Sequence, residues 1–533
     1  MSEPISTSET APVAKTALPS APPKRPFFHS FTFWAVLAVI LAILIPLGYR
    51  DGPQTLFFSF ITLLEVIALF NILIIVHELG HFLAARWCGL KIDKFAIWFG
   101  NPIWSKKVDG VEYILGSIPA GGYVALPQMA PMESIEGKTD TPREELPPAS
   151  PGQKIIVAFA GPLFSFGLAL VFACVVWVVG KPSTYSEKTT IIGYAIADGP
   201  AAKAGIRAGD VIKSINGHTV SRWLGVGDGV TWNIITSTVT PLTLVIERDG
   251  QTQTFQVTPE VDPTVTHHWW DRNTPPKIQI APDEKDLVVD KMLPNSPAAM
   301  AGLKKGDRLV TLDGVPLHSD LALYYHLKNS PNAPMTLGID RGGKILSVVV
   351  QPEKPIQPKD MPKDEPPTNI GLSLDDNVDV VLVHPSPWSQ VAESVDMVRS
   401  TLLALITPHS NVSTSQLSGP VGIMYLFFNV LSSENGWRMA LWLAVVINVN
   451  LAMLNLFPFP ILDGGHILLS VIEWIRRRPL SMAILEPLQT GFALLLMGYM
   501  VYITFFDAQD AGREVLNSGD SGEIKFAPKP TSP

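Results

Sequence analysis

The sequence has few charged residues and almost no cysteine. Only 17% of its 533 residues are charged and 47% are hydrophobic, so the chain is too apolar for an ordinary soluble enzyme and too long for one domain. Its two cysteines, Cys88 and Cys174, cannot build a disulfide framework. A formal net charge of -8, without any cluster of basic and aromatic residues, argues against binding of nucleic acid. The length of the chain and its low content of charged residues predict a protein in which membrane and soluble parts alternate.

The apolar run at residues 56–85 ends in the motif HELGH at residues 77–81. Roughly twenty mostly apolar positions precede the motif, which is enough to cross a bilayer as a helix. On a helix, His77 and His81 lie on one face, where two imidazoles can bind one zinc ion, and Glu78 is placed to take a proton from a water. A chance match is the alternative. Ionisable groups at the end of a span are costly unless they are paired, so we interpret the motif as a metal site.

A hydrolytic zinc site needs a third protein ligand and an open position for water. The candidate lies far downstream, in NLFPFPILDGGH at residues 455–466, at the end of another apolar segment. Pro458, Pro460 and a Gly-Gly pair must break that helix, and unpaired backbone at membrane depth is tolerated only against protein or a water-filled cavity. We predict that Asp463 is the third ligand. The alternative is an ordinary Asp-Gly turn just outside the bilayer.

Other residues of the same segment are predicted to contact substrate. Asn455 is expected to donate a hydrogen bond to the substrate backbone or to the developing oxyanion. Pro458 and Pro460 are assigned to substrate binding with it. For His466, one helical turn after the aspartate, we favour a structural role.

These motifs resemble those of the site-2 protease family of intramembrane zinc metalloproteases, in particular the bacterial regulator of sigma-E protease type. FAGPLF at residues 159–164 and LSGPVGI at residues 417–423 agree with the resemblance, which covers nearly everything from about residue 56 to residue 506. The chain departs from the family at Ser165, where an Asn usually follows the Gly-Pro pair. The hydrogen bond of that Asn is therefore not carried over to this chain.

The resemblance implies a set of roles and a class of substrate. Zinc would be held by His77, His81 and Asp463, with Glu78 as the base that passes a proton to the leaving amine. The substrate would be a single-pass membrane protein with an unwound segment, such as an anti-sigma factor already trimmed by an upstream protease, or a remnant signal peptide.

The connection that follows the HELGH motif alternates as strands do and carries a turn signal at Asp109-Gly110. In the family a similar β-structured loop lies in the membrane and aligns substrate by strand addition, which suits proteolysis of an extended backbone. On this basis Gly121 and Gly122 are predicted to bind substrate. The alternative is a plain cytosolic hairpin.

The sequence contains an internal repeat. GPAAKAGIRAGDVIKSING at residues 199–217 returns as SPAAMAGLKKGDRLVTLDG at residues 296–314, and both copies end in strands around a turn, at 248–250 and 341–343. A short helix, a Gly-Asp turn, a strand and an Asx-Gly turn, occurring twice, resemble a tandem of PDZ domains, which bind chain ends or extended peptides at a strand edge. Spacers with occluded grooves are the alternative, and gating of substrates by size is a variant.

Lys and Arg residues near the span ends predict the orientation, because cytoplasmic flanks carry an excess of both. They precede the first and last apolar segments and follow the HELGH motif. They agree on a cytoplasmic N-terminus and on an extracytoplasmic segment from residue 181 to about 415. The family resemblance implies that the membrane is the inner membrane of a bacterium. The predicted fold class is an α-helical polytopic membrane protein with about five spans and two extracytoplasmic α+β PDZ domains.

The predicted division of the chain has eight parts. They are a disordered cytoplasmic tail at 1–28, an extra N-terminal transmembrane helix at 29–50, the first part of the protease membrane core at 51–180, two PDZ domains at 181–284 and 285–375, amphipathic and re-entrant helices at 376–435, the second part of the core at 436–506, and a polar, disordered C-terminal tail at 507–533. A flexible loop is expected at 127–152.

Two functions from other classes compete with proteolysis. One is a catalytically silent scaffold whose PDZ domains recruit misfolded envelope proteins. The complete set of His77, Glu78, His81 and Asp463 weighs against it, because a silent protein does not need all four. The other is a zinc transporter, which would need several ligand clusters along a path, whereas the sequence shows one.

Overall fold

The computed structural model describes the chain at residues 31–129, 146–261, 272, 274–356, 365–375, 380–408, 410–478, 480–520 and 524–527. Within these ranges, only the backbone is described at residues 31–56, 119–120, 482–484, 511 and 514–520. The prediction for the tail at 1–28, and most of that for the loop at 127–152, lie outside the described residues.

The first part of the chain forms two long helices with a small sheet between them. Helix α1 is Phe31–Trp87 and helix α2 is Pro151–Val179; the strands between them are β1 Lys94–Phe99, β2 Trp104–Val108, β3 Val111–Leu115 and β4 Ile118–Ala125. The strand order is β2-β3-β1-β4, with β1 parallel to β3 and antiparallel to β4. The predicted strand-rich loop is therefore a four-stranded sheet, larger than a single hairpin, and β4 is one of its edges.

Small residues let α2 approach α1 closely. A Cβ atom at Gly80 of α1 would lie 2.4 Å from the carbonyl oxygen of Ala160 in α2, so only glycine fits at this crossing. Next to the crossing, Phe82 and Ala85 of α1 share a buried cluster with Val157 and Ala160 of α2.

Two repeated α+β units follow. The first contains β5 Lys181–Ser183, α3 Tyr185–Lys188, β6 Ile192–Ala195, α4 Pro200–Lys203, β7 Val211–Ile215, β8 His218–Thr219, α5 Val230–Ile235, β9 Leu242–Arg248, β10 Gln251–Val257 and β11 Ile280–Pro282. The second contains β12 Leu287–Met292, α6 Pro297–Met300, β13 Arg308–Leu312, β14 Val315–Pro316, α7 Leu321–Asn329, β15 Met335–Arg341, β16 Lys344–Val350 and β17 Leu372–Leu374. Strand β18, Val381–Val383, pairs with β5 and returns the chain to the start of the first unit.

The two units repeat the same strand pairings and the same ion pair. The order β10-β9-β7-β8 of the first unit corresponds to β16-β15-β13 with β14 in the second, and β11 pairs with β6 as β17 pairs with β12. Arg248 binds the buried Asp210 at 2.6 Å, and Arg341 binds the buried Asp307 at 2.7 Å. Each unit has its own hydrophobic core, so the sequence repeat is a structural repeat.

The last part of the chain is helical. It contains α8 Pro387–Ile406, a 3₁₀ turn at Thr414–Gln416, α9 Pro420–Ser432, α10 Gly436–Asn455, α11 Asp463–Arg476 and α12 Met482–Asp520. Helix α9 has 13 residues, too few to cross a bilayer, as the sequence predicts. The amphipathic helix α8 is present, and its buried face packs on other helices, since Val391 lies with Ala173 of α2 and Val449 of α10.

Four helical segments of the described residues are long and apolar enough to cross a membrane: Phe57–Trp87, Pro151–Val179, Gly436–Asn455 and Leu485–Asp510. They match four of the five predicted spans. The side chains of the remaining one, at 29–50, fall outside the described part, but the backbone of α1 is one continuous helix where the sequence predicts a connection near Arg50. The backbone N–H and C=O groups of a helix hydrogen-bond within the helix itself, so α1 can continue past Arg50 without packing on another segment.

The prediction of a disordered tail from Asp507 onward is wrong for the described residues. Helix α12 continues to Asp520, and Asp507 is buried. Further along, Phe526 is buried and the backbone N–H of Ile356 donates to the carbonyl of Lys525 at 2.8 Å. Polar composition indicated a tail, but one buried carboxylate and one buried aromatic ring are enough to fix this segment against the rest of the chain.

Candidate metal centre

Three side chains from two distant parts of the chain meet beside the crossing of α1 and α2. His77 and His81 lie one turn apart on α1, and Asp463 is the first residue of α11. The two Nε2 atoms are 3.2 Å apart, Nε2 of His77 is 3.3 Å from Oδ2 of Asp463, and Nε2 of His81 is 3.4 Å from Oδ1. Among the described residues, these three form the one group of His, Cys, Asp and Glu side chains that could hold a metal ion.

The broken segment after α10 places Asp463. Helix α10 ends at Asn455, and the chain then turns back so tightly that a Cβ atom at Gly464 would lie 2.1 Å from the carbonyl oxygen of Leu456. At Gly465 a Cβ atom would lie 2.0 Å from the carbonyl oxygen of Phe459. The Gly-Gly pair is therefore required for α11 to begin against this loop, with Asp463 pointing at the two histidines.

Both imidazoles are fixed through the nitrogen that faces away from the aspartate. Nδ1 of His77 lies 3.0 Å from Oγ of Ser165, and Nδ1 of His81 lies 2.8 Å from the carbonyl oxygen of Val157. A carbonyl only accepts, so Nδ1 of His81 carries the proton, and the same tautomer at His77 donates to the serine. This leaves both Nε2 lone pairs free for a metal. The sequence analysis missed this contact of Ser165.

Gly161 has a part in the site that the sequence analysis also missed. In the sequence it is one of several small residues of its apolar segment, which favour close packing of helices. A Cβ atom there would lie 2.2 Å from Nε2 of His81 and 2.9 Å from Cε1 of His77. Only a glycine leaves room for the histidine pair, and the Gly-Pro stretch of α2 was the available signal.

The three side chains fit zinc. Zinc bonds of about 2.0–2.1 Å place tetrahedral ligand atoms about 3.3 Å apart, close to the three distances between the nitrogens and the carboxylate oxygens. The Oδ2 atom of Asp463 is buried and has no hydrogen-bond donor among the described residues. A buried carboxylate oxygen without a donor is costly unless a cation satisfies it, and two imidazoles with one carboxylate are a common donor set for catalytic zinc.

A cavity of about 280 Å³ opens beside the three side chains. Of the residues predicted from the sequence, it is lined by His77, Glu78, His81, Gly121, Gly122, Asn455 and Asp463. His466 also lines it, although a structural role was predicted for that residue. Pro458 and Pro460 are not part of the lining, and lie in the loop that leads to the aspartate.

The edge strand β4 runs past the predicted base. A Cβ atom at Gly122 would lie 3.3 Å from Cγ of Glu78, so the strand backbone is close to the carboxylate. Gly121 has a φ of +80° and stands where a Cβ atom would lie 1.9 Å from the ring of Phe99, so both its conformation and its surroundings require glycine. On the other side of the cavity, Nδ2 of Asn455 lies 3.4 Å from Nε2 of His77.

Comparison with known proteins gives one family. The model of the family described as Peptidase family M50 matches residues 65–498. The regulator of sigma-E protease RseP of Escherichia coli (strain K12) is 30% identical over 476 residues, which cover 83% of this chain and 98% of that protein. A Neisseria meningitidis protein whose name includes the words zinc metalloprotease is 28% identical over 463 residues, which cover 84% of this chain and 98% of that protein.

Among solved structures, a PDZ domain of an SdrC-like protein from Listeria monocytogenes matches 17% of this chain and 90% of its own length. The identity is 19% and the TM-score is 0.15.

Proposed function

Since the chain belongs to Peptidase family M50 and is therefore a metalloprotease, we propose that it cleaves the membrane-spanning segments of single-pass membrane proteins. We propose His77, His81 and Asp463 as the zinc ligands and Glu78 as the catalytic base. The observation that carries this proposal is the convergence of three side chains: the two Nε2 atoms, on a helix apolar enough to cross a membrane, lie 3.2 Å apart, and each lies 3.3–3.4 Å from an oxygen of Asp463.

When bound, zinc would polarise the scissile carbonyl and lower the pKa of the attacking water. Glu78 lines the same cavity and would take the proton of that water and deliver it to the leaving amine. Asn455, within 3.4 Å of His77, would donate to the substrate carbonyl or to the oxyanion as charge develops there. The Val157 carbonyl keeps the proton of His81 on Nδ1, and the Ser165 hydroxyl can accept the Nδ1 proton of His77, which would leave both Nε2 atoms for zinc.

Strand β4 is the proposed substrate-aligning edge. Its partner in the sheet is β1, so the other side of β4 is available for pairing within the described residues. A substrate segment that pairs with β4 would be extended, and only an extended backbone exposes its peptide bond to the base and the metal. Gly122, 3.3 Å from Glu78 at its Cβ position, would bring that segment next to the cavity.

The proposal includes the membrane in which the protein lies and a role for the two repeats in binding peptides. We place the chain in a bacterial inner membrane because of its four apolar helices and its similarity to the Escherichia coli protease, and we place both repeats outside the cytoplasm from the charges that flank the spans. Strands β11 and β17 each pair with one strand of their own unit among the described residues, so each is an edge to which a peptide can add, as in PDZ domains. An upstream protease would first trim the substrate.

The charge-neutral variant Glu78→Gln tests the proposal. We expect it to bind zinc as the wild type does and to lose about 100-fold or more of the cleavage rate on a single-pass substrate in detergent or liposomes, because general base catalysis contributes about 10²–10⁴. Undiminished cleavage would exclude the proteolytic mechanism. Wild-type protein that binds zinc but cuts no membrane substrate would favour the scaffold instead.

A further inference from the structure

Arg272 reaches from the first repeat to the last membrane helix. It lies in the connection between β10 and β11, and its Nη2 atom is 2.5 Å from Oδ1 of Asp507 while Nε is 2.6 Å from a carboxylate oxygen of Asp510, both on α12. Its Nη1 atom donates to the carbonyl oxygens of Ser415 at 2.8 Å and Leu417 at 3.0 Å. One guanidinium therefore joins three segments that are distant in sequence.

Asp507, which binds Arg272, also contacts the start of α9. Its side chain is 1% exposed, and its Oδ2 atom accepts from the backbone N–H groups of Gly419, the residue before α9, at 3.0 Å and of Gly422, in the first turn of α9, at 2.8 Å. Both positions need glycine. A Cβ atom at Gly422 would lie 2.7 Å from Oδ1 of Asp507, and one at Gly419 would lie 2.8 Å from Cγ2 of Ile503. The stretch LSGPVGI thus binds the buried carboxylate of Asp507, which caps the N-terminus of α9.

Helix α9 in turn packs on the helix that carries the histidines. Phe427 of α9 is 1% exposed and shares a buried cluster with Val66 and Leu73 of α1. Leu73 lies one turn before His77. A continuous set of contacts therefore runs from the first repeat, through Arg272 and Asp507, to the part of α1 next to the metal centre.

We propose that Arg272 is a positioning residue that holds the first repeat on the membrane helices and, through Asp507, holds α9 against α1. A buried carboxylate that loses its cation is strongly destabilising, so without Arg272 the cap on α9 would weaken. A second ion pair joins the first repeat to α8, Arg222 with Glu393 at 2.7 Å, but its side chains are 32% and 30% exposed. More exposed pairs contribute less, so of these two ion pairs we expect that of Arg272 to contribute more.

Amide hydrogen exchange on the full chain in detergent tests this without any enzymatic readout. In Arg272→Met we expect the amides of Gly419 and Gly422 to exchange about tenfold faster than in the wild type, because their acceptor is no longer held. The matched control is Arg308→Met, which removes an arginine that also binds two carboxylates, Asp286 and Asp340, but within the second repeat. It should leave both amides unchanged.

A conservative variant separates charge from packing. Arg272→Lys keeps a cation beside Asp507 and should restore protection of Gly422, although it loses the two carbonyl contacts. Equal exchange in wild type and Arg272→Met, faster exchange in Arg308→Met, or no rescue by lysine would each overturn the proposal. If Arg272→Met does not accumulate, Arg272→Gln takes its place against the same control.

The consequence for cleavage rests on the proposed function. Arg272 does not line the cavity, so in Arg272→Met any loss of kcat must arise indirectly, through the weaker contact of α9 with α1. We expect kcat for a substrate trimmed of its extracytoplasmic part to change by a smaller factor than KM for the untrimmed substrate. A larger change in kcat on the trimmed substrate than in KM on the untrimmed one would contradict a positioning role. If no variant and not even the wild type cleaves, the proteolytic function fails, whereas the exchange data still decide the role of Arg272.

Discussion

The Oγ atom of Ser165 lies 3.0 Å from Nδ1 of His77, and both side chains are buried. The family resemblance of the sequence implies an asparagine at this position. A serine hydroxyl accepts a hydrogen bond as an amide oxygen does, so the shorter side chain keeps the contact that orients the imidazole. The departure noted in the sequence thus changes the residue but preserves a partner for His77.

The first prediction concerns Ser165. Replacing it with Ala removes the acceptor for Nδ1 of His77, and we expect zinc affinity to fall about 10-fold or more, since such partners of metal-binding histidines contribute about 10- to 100-fold. Zinc titration of the purified protein against a competing chelator measures this. Ser165→Asn should bind zinc within a few-fold of the wild type. Full affinity in Ser165→Ala would show that the hydroxyl does not orient the ring.

The second prediction concerns Gly161. In Gly161→Ala the new methyl group would stand 2.2 Å from Nε2 of His81, so the histidine pair must move by about 1 Å. Misplacement of that size costs about 100-fold in rate, and zinc binding should fall with it. Gly167→Ala in the same helix is the control, because a Cβ atom there has nothing within 4 Å. Equal zinc content and activity in the two variants would contradict the described packing.

The third prediction concerns pH and the junction of the two repeats. Oε1 of Glu284 accepts from Oγ of Ser319 at 3.0 Å; burial, and then the nearby Asp320 carboxylate, raise the pKa of Glu284 from 4.5 to about 7. A carboxyl whose pKa is higher in the folded state favours folding below its unfolded pKa, and this contribution is lost as the pH rises from about 4.5 to about 7.

Melting temperatures of the full chain between pH 5 and pH 8 measure the effect of Glu284. The wild type should lose stability with rising pH, and Glu284→Gln should lose less. The control is Glu260→Gln, at a glutamate that is 50% exposed and 3.8 Å from Lys203, where the pH dependence should match the wild type. Parallel pH profiles for the wild type and Glu284→Gln would refute the assignment.

Much of this architecture could be predicted from local patterns. The apolar runs, the i and i+4 spacing of His77 and His81, and the duplicated Gly-Asp turns each lie within about twenty residues, where periodicity and turn chemistry are readable. The prediction of Asp463 rests on the third ligand that a zinc site requires and on the family resemblance, because its distance in sequence from the histidines gives no indication of contact. The structure brings it to the histidines; its role as a ligand stays a prediction.

Contacts between distant segments could not be predicted in this way. Arg272 and Asp507 form an ion pair across 235 positions, and nothing in the composition around either residue indicates the other. Gly161 looks like any small residue of a packed helix until the imidazoles of α1 are placed beside it. In both cases the decisive quantity is a distance between two segments, which local composition does not contain.

The central claim is that His77, His81 and Asp463 bind one zinc ion. Zinc K-edge absorption of the purified full chain, with Asp463→Ala beside the wild type, tests it most directly. We predict one zinc per chain, with two imidazole nitrogens at about 2.0–2.1 Å and a carboxylate oxygen at about 2.0–2.2 Å that is lost in the variant. A wild-type spectrum without two imidazoles, or an unchanged zinc environment and affinity in Asp463→Ala, would contradict the account.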